Sequence, residues 1–167
     1  MFTILKAKKE DIDCIYEIEK ENFTSDMWNK KSFYESIDSA YDTFWTYRDE
    51  EYKEIYNLNN DIIGYGIIRI IGNEAEILKI CIRKECRKKK CAEILLNLMM
   101  ITCIQKTIQA IHLEVRESNK AAISLYEKHN FVKISERKNY FKEPTENAII
   151  MEKTNYDYEM TEKCSNN

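Results

Sequence analysis

Apolar residues recur along this chain at two spacings, and the switches between them mark its elements. Residues 2–5 read as a short strand. From Asp11 to Phe23, Ile12, Ile15, Tyr16 and Ile18 fall at helical spacing. Asn29 is a candidate N-cap for a second short helix with Phe33, Ile37 and Tyr41 on its apolar side. Phe44-Trp45-Thr46-Tyr47 is strand-like, and the acidic Asp49-Glu50-Glu51 follows it. Lys53 to Leu58 alternates as a strand would, and Asn59-Asn60-Asp61 is a turn signal. Ile62 to Ile71 is strongly β-prone, Gly72-Asn73 is a second turn, and Ala75 to Ile82 closes an antiparallel meander.

The period lengthens again after a basic run, Arg87 to Lys90. Ala92 to Ile108 reads as a long helix with Ile94, Leu95, Leu98, Met99 and Cys103 on its apolar face. Ile111 to Val115 reads as a buried strand. Ser118 or Asn119 then caps a helix reaching about Lys128 through Ala122, Ile123 and Tyr126. Phe131 to Ser135 and Ala148 to Met151 are closing strands. The pattern predicts one α/β domain with a mixed sheet over residues 1–153, followed by a polar tail, 154–167.

Composition narrows the class. A chain of 167 residues with 44% hydrophobic residues can bury a sizeable core. Its net charge of −3 argues against a general nucleic-acid binder, so no direct nucleic-acid partner is expected. There is no run of about 18 apolar residues to span a membrane, and no signal-type apolar stretch at Met1 to Lys6, so a cytoplasmic location is expected. Cys14, Cys81, Cys86, Cys91, Cys103 and Cys164 form no C-x-x-C pair, and His112 and His129 lack zinc-type spacing; no metal is expected. Glycine is scarce, with three in the whole chain, and this matters for tight turns.

The run Leu113-Glu114-Val115-Arg116, then Ser118-Asn119, then Ala122-Ile123, then Leu125-Tyr126-Glu127, is followed by Phe131, Arg137, Tyr140-Phe141 and Ala148-Ile149-Ile150-Met151. This series closely resembles the GNAT superfamily of N-acetyltransferases, and within it the ribosomal-protein-alanine N-acetyltransferase (RimI-like) branch. That branch reads L-E-V-R, S-N-x-x-A-I-x-L-Y-E, a phenylalanine, R-x-x-Y-Y and A-I-I-M. Met27-Trp28-Asn29-Lys30-Lys31-Ser32-Phe33 is similar to its P-W-S-x-x-x-F segment, with Met27 in place of proline. The region from Phe33 to Ile62 is longer than the branch shows. Added length normally sits in a loop, here expected close to the acceptor.

The resemblance implies a mixed, mostly antiparallel seven-stranded sheet with about four helices and a splayed parallel strand pair ending near Ile82 and Arg116. It implies acetyl-CoA as acetyl donor. Ile80, Cys81 and Ile82 would offer backbone groups to the pantetheine arm. The family's Q/R-x-x-G-x-G/A loop corresponds to Arg87-Lys88-Lys89-Lys90-Cys91-Ala92, continued by Glu93, and Lys90 replaces its first glycine. A helix N-terminus suits pyrophosphate because its N–H groups and dipole favour anions. Asn119 would touch the CoA arm while capping its helix. Glu114 corresponds to the general base and Tyr126 to the general acid. Trp28, Lys79, Arg137 and Tyr140 are candidates for the acceptor side, and a lysine at position 79 would favour an acidic partner.

Chemistry favours an N-terminal α-amine as acceptor. Its pKa is about 7.7–8 against about 10.4 for lysine, so deprotonation at pH 7 costs less than about 1.4 kcal/mol rather than about 4.6 kcal/mol. A carboxylate base acting through water suits the easier amine. The implied partner is a small-subunit ribosomal protein. Two other readings stand beside this one. One is a GNAT enzyme acting on a lysine or a small-molecule amine. The other is a non-catalytic acetyl-CoA-binding sensor, which Lys90 favours and the Glu114 and Tyr126 pair disfavours.

Overall fold

The computed structural model describes residues 2–154. Along the chain lie β1 (Phe2–Lys6), α1 (Ile12–Asn22), α2 (Lys30–Asp38), β2 (Asp42–Asp49), α3 (Glu50–Ile55), β3 (Ile62–Ile71), β4 (Glu74–Ile82), α4 (Cys91–Gln105), β5 (Ala110–Arg116), α5 (Lys120–Lys128), β6 (Val132–Lys142) and β7 (Thr145–Thr154). Seven strands form one sheet in the order β1-β2-β3-β4-β5-β7-β6. The sheet is mostly antiparallel, and β4 with β5 is its one parallel pair. Their register runs from Glu74↔Ala110 to Ile77↔Leu113; β4 continues to Ile82 and β5 to Arg116. The expected tail lies outside the described residues from Asn155 onward.

Two compact units share these elements, Met1–Arg69 with Leu78–Met99, and Ile70–Ile77 with Met100–Asn167. In the first, α1 contributes Ile12, Ile15 and Ile18 to a core completed by Phe33, Phe44, Ile62, Tyr65, Ile67 and Cys81. Phe33, Phe44 and Tyr65 form an aromatic triangle with centroids 5.7–5.9 Å apart. Asn29 caps α2 as expected, its Oδ1 accepting from the Ser32 N–H at 2.9 Å. A Cβ on Gly64 would stand 2.7 Å from the Cys81 carbonyl oxygen, so this scarce glycine serves a close backbone approach, while one on Gly66 would meet the flexible end of Met99 at 2.5 Å.

In the second unit β5 alternates. Ile111, Leu113 and Val115 are buried, while His112, Glu114 and Arg116 are half-buried on the other face. β7 pairs antiparallel with β5, and β6 lies beyond it at the sheet edge. Both closing strands are longer than the apolar runs that announced them.

The structure corrects three expectations. Lys53 to Leu58 is not a strand; residues 53–55 end α3 and a turn follows, so the described residues hold five α-helices. The Asp49 carboxylate decides it, accepting from the N–H groups of Glu51 at 3.0 Å and Tyr52 at 3.4 Å. The buried stripe of α4 is Cys91, Leu95, Leu96, Met99 and Cys103, with Ile94 and Leu98 only half-buried. A helix apolar on nearly every side does not announce which stripe is inside. Finally, α4 ends at Gln105 rather than Ile108. Thr107 takes φ 54°, and the N–H groups of Ile108 and Thr107 bond back to the carbonyls of Cys103 and Ile104, a Schellman closure without glycine.

Candidate functional site

The basic loop ahead of α4 belongs to the first unit. Lys88 and Lys90 both take left-handed backbone conformations, φ 61° and 62°. Each costs about 1–2 kcal/mol for a residue with a Cβ. Lys90 therefore occupies the conformation that a glycine would adopt freely. The Lys90 carbonyl accepts the first α4 bond, from Ile94 N–H at 2.9 Å. Alternating left-handed residues ahead of a helix turn successive N–H groups toward one side, a concavity suited to anions. The Arg87 guanidinium donates to Asn22 at the end of α1 and to the Ile82 carbonyl at 3.4 Å. Cys91 and Cys86 are buried beneath the loop, and burial pushes the Cys86 thiol up to about 11. Ala92 and Glu93 stand in the first turn of α4. Ile80, Cys81 and Ile82 form the last residues of β4, with Ile80 half-buried and the other two buried.

Lys79 is placed differently from the expectation of a free cation. It is 8% exposed, and its Nζ lies 2.5 Å from Glu19 Oε1 and 3.0 Å from the Asp26 carbonyl oxygen. Glu19 also accepts from the Tyr65 hydroxyl and, at 2.7 Å, from the Trp28 N–H. The ammonium sits 3.8 Å from the Phe23 ring centre and 5.6 Å from that of Trp28. A charge already neutralised inside the unit has little attraction left for an acidic partner, so the expectation drawn from Lys79 is corrected. Trp28 packs against Phe33 at 5.5 Å, and so Lys79 and Trp28 meet at Glu19.

In the second unit Glu114 and Arg137 form an ion pair, Oε1 to Nη1 at 2.8 Å, with the side chains 24% and 53% exposed respectively. Arg137 also lies 5.3 Å from the Tyr140 ring centre. Glu114 is paired in register with Ile150 and Arg137 with Ala148, which puts all four on one face of the sheet. β6 is irregular between Arg137 and Phe141, with Asn139 at φ 52° and its N–H bonded to the Asn147 side chain at 3.0 Å. That bulge separates Tyr140 from the regular ladder.

Tyr126 is fixed by the end of α5. Asn130 takes φ 63°, and the Asn130 and Phe131 N–H groups bond to the carbonyls of Glu127 and Tyr126, each at 3.0 Å. This Schellman closure brings the Phe131 ring to 5.7 Å from Tyr126. Burial pushes the Tyr126 phenol up to about 12, so it remains a proton donor through the neutral range. Asn119 caps α5 by accepting from the Ala122 N–H at 3.2 Å.

Sequence reasoning missed Glu146 and Glu19. Glu146 accepts from Arg116 at 2.6 Å and from the Ser118 N–H at 3.0 Å, which ties β7 to the β5–α5 corner. Arg116 holds its carboxyl below the usual carboxylate range. A glutamate facing an arginine from another strand has no local signature. Among the described residues, no group of three or more His, Cys, Asp or Glu side chains could hold a metal ion. The five described cysteines are free thiols.

Comparison with known proteins gives a consistent picture. The profile of the Acetyltransferase (GNAT) family matches residues 12–131. A Bacillus subtilis (strain 168) protein, named provisionally as a [ribosomal protein bS18]-alanine N-acetyltransferase, is 35% identical over 149 residues, covering 89% of this chain and 92% of its own. The Haemophilus influenzae [ribosomal protein bS18]-alanine N-acetyltransferase is 34% identical over 116 residues, 65% of this chain and 79% of its own. Among solved structures, the Escherichia coli ribosomal-protein-S18-alanine N-acetyltransferase superposes with TM-score 0.78 at 25% identity, covering 92% of this chain and 94% of that one.

Proposed function

The chain belongs to the acetyltransferase (GNAT) family, most similar to its ribosomal-protein-alanine branch, and from that premise we propose that it transfers an acetyl group from acetyl-CoA to the N-terminal α-amine of a ribosomal protein. The observation that carries this reading is Glu114, a carboxylate held by Arg137 on the half-exposed face of β5. The similarity to named bS18-alanine N-acetyltransferases supports the acceptor. In this reading residues 1–153 act as one catalytic domain, working in the cytoplasm; no helix among the described residues is long and apolar enough to cross a membrane.

The residues fit acetyl-CoA as donor. Backbone N–H groups from Lys88 to Glu93, at the start of a 15-residue helix, would hold its pyrophosphate. Ile80, Cys81 and Ile82 would run beside the pantetheine arm. Glu114, through water, would take a proton from the α-amine, whose modest proton affinity suits a carboxylate base. Tyr126 would hydrogen-bond the departing sulfur and supply its proton. A phenol at about 12 stays protonated until needed. Arg137 would orient Glu114, and Tyr140 and Trp28 would contact the acceptor.

The test is thiol release from acetyl-CoA with a peptide bearing a free N-terminal alanine, using the wild-type protein, Glu114→Gln and Tyr126→Phe. The reading expects turnover in wild type and losses of about a hundredfold or more in both variants. Full turnover in Glu114→Gln would remove the proposed base.

A further inference from the structure

Two departures from the family pattern meet at one residue. The loop ahead of α4 holds Lys88 and Lys90 at left-handed φ, and α3 occupies the region where the chain is longer than its branch. Lys89 stands between the two strained residues, and its side chain reaches α3. Nζ donates to the Tyr56 hydroxyl at 2.6 Å and sits 4.3 Å from the Tyr52 ring centre and 4.8 Å from that of Tyr56. The two rings meet edge to face at 6.1 Å. Part of the longer region, α3, therefore packs on the basic loop.

Both partners are anchored. Asp49, 8% exposed, caps α3 through the Glu51 and Tyr52 N–H groups. On the loop side, the Cys91 thiol lies 3.7 Å from the carbonyl oxygens of Lys89 and Cys86. Lys89 is thus held by its side chain from α3, and its carbonyl lies against the buried Cys91 thiol at the start of α4. A residue fixed at both ends restricts the φ choices of its neighbours, which is the restriction that a loop without glycine needs. A cation over two tyrosine rings is also attracted by their π faces.

We propose that Tyr52 and Tyr56 are positioning residues that clamp Lys89, and through it hold Lys88 and Lys90 in the conformation that presents the loop N–H groups to a pyrophosphate-bearing nucleotide. α3 thereby replaces the glycines this loop lacks. The proposal rests on the reading of this loop as the acetyl-CoA site.

The experiment compares the full chain with Tyr52→Leu/Tyr56→Leu, with Tyr56→Phe, and with Tyr52→Leu/Tyr56→Leu carrying Lys88→Gly/Lys90→Gly. Amide hydrogen exchange over residues 88–93 is read without ligand, and CoA affinity is read by calorimetry. The clamp predicts exchange faster by about tenfold in Tyr52→Leu/Tyr56→Leu, confined to the loop and α3. It predicts CoA binding weaker by about tenfold, a smaller loss in Tyr56→Phe, and recovery of most of the affinity on adding the two glycines. Unchanged loop exchange in Tyr52→Leu/Tyr56→Leu overturns the clamp. Weakened binding that glycine does not restore overturns it too, because the tyrosines would then act on the ligand itself. If wild type fails to bind CoA the acetyl-CoA reading falls, and the exchange measurement alone then decides whether the clamp exists.

Discussion

Arg137 crosses β7 at Ala148 to reach Glu114, and the two charges meet at 2.8 Å although their strands are not neighbours in the sheet. Ala148, fully buried, stands opposite Arg137, and Ile150 stands opposite Glu114. The pair joins the candidate base to a residue first read as acceptor-facing, and the proposed function gives Arg137 a second role, orienting Glu114.

Arg137→Gln should therefore lower kcat/KM for an N-terminal alanine peptide by about tenfold, as expected for a lost orienting contact. Its CoA affinity should not change. Stability should move by no more than about 0.5 kcal/mol, because a half-exposed pair contributes little to folding. Steady-state kinetics beside urea denaturation checks both parts.

Lys79→Met should behave in the opposite way. It leaves Glu19 fully buried, its charge met by neutral donors, the Tyr65 hydroxyl and the Trp28 N–H. Breaking a buried pair from one side costs about 3–5 kcal/mol. The urea midpoint should fall sharply, and Glu19→Gln in the same chain should recover part of the loss.

Asn119 has one role visible in the structure and one proposed. Asn119→Ala removes the α5 cap and should cost about 1 kcal/mol. Asn119→Asp keeps the cap, since aspartate serves equally well there, but adds a negative charge beside the proposed CoA arm. Thermal melts should separate alanine from wild type but not aspartate; calorimetry with CoA should show weaker binding for aspartate.

Stability should decline in alkali. Burial raises the Tyr126 phenol from 10.0 to about 12, the Cys81 thiol from 9.0 to about 12, and the Cys86 and Cys103 thiols from 9.0 to about 11. Above pH 9 the unfolded chain loses these protons while the folded chain keeps them, so the unfolded state binds fewer protons and stability falls as pH rises. Their contribution is complete below about pH 9 and is lost as pH rises through 12. Urea midpoints at about pH 8 and pH 10 should differ in that direction.

The second half of the fold was legible because its signals are local. The alternation of β5, the Asn119 cap and the Tyr126 stripe lie within one short stretch, and the family motif runs through them. α3 was misread because so short a stretch fits either period, and what decides it is the Asp49 cap at its N-terminus. Lys79 was misread because its neutralising partner Glu19 is separated from it by 60 positions. Lys90 could be flagged from the sequence as standing where glycine is wanted. That it adopts a left-handed φ, and that Lys88 does so too, no local pattern announces.

The most direct test of the account offers the protein one peptide with both a free N-terminal alanine and an internal lysine, together with acetyl-CoA, and locates the acetyl group by tandem mass spectrometry. The account predicts acetyl on the α-amine, with Tyr126→Phe slower by about a hundredfold or more and unchanged in site. Acetyl on the lysine, with the α-amine left free, would contradict it.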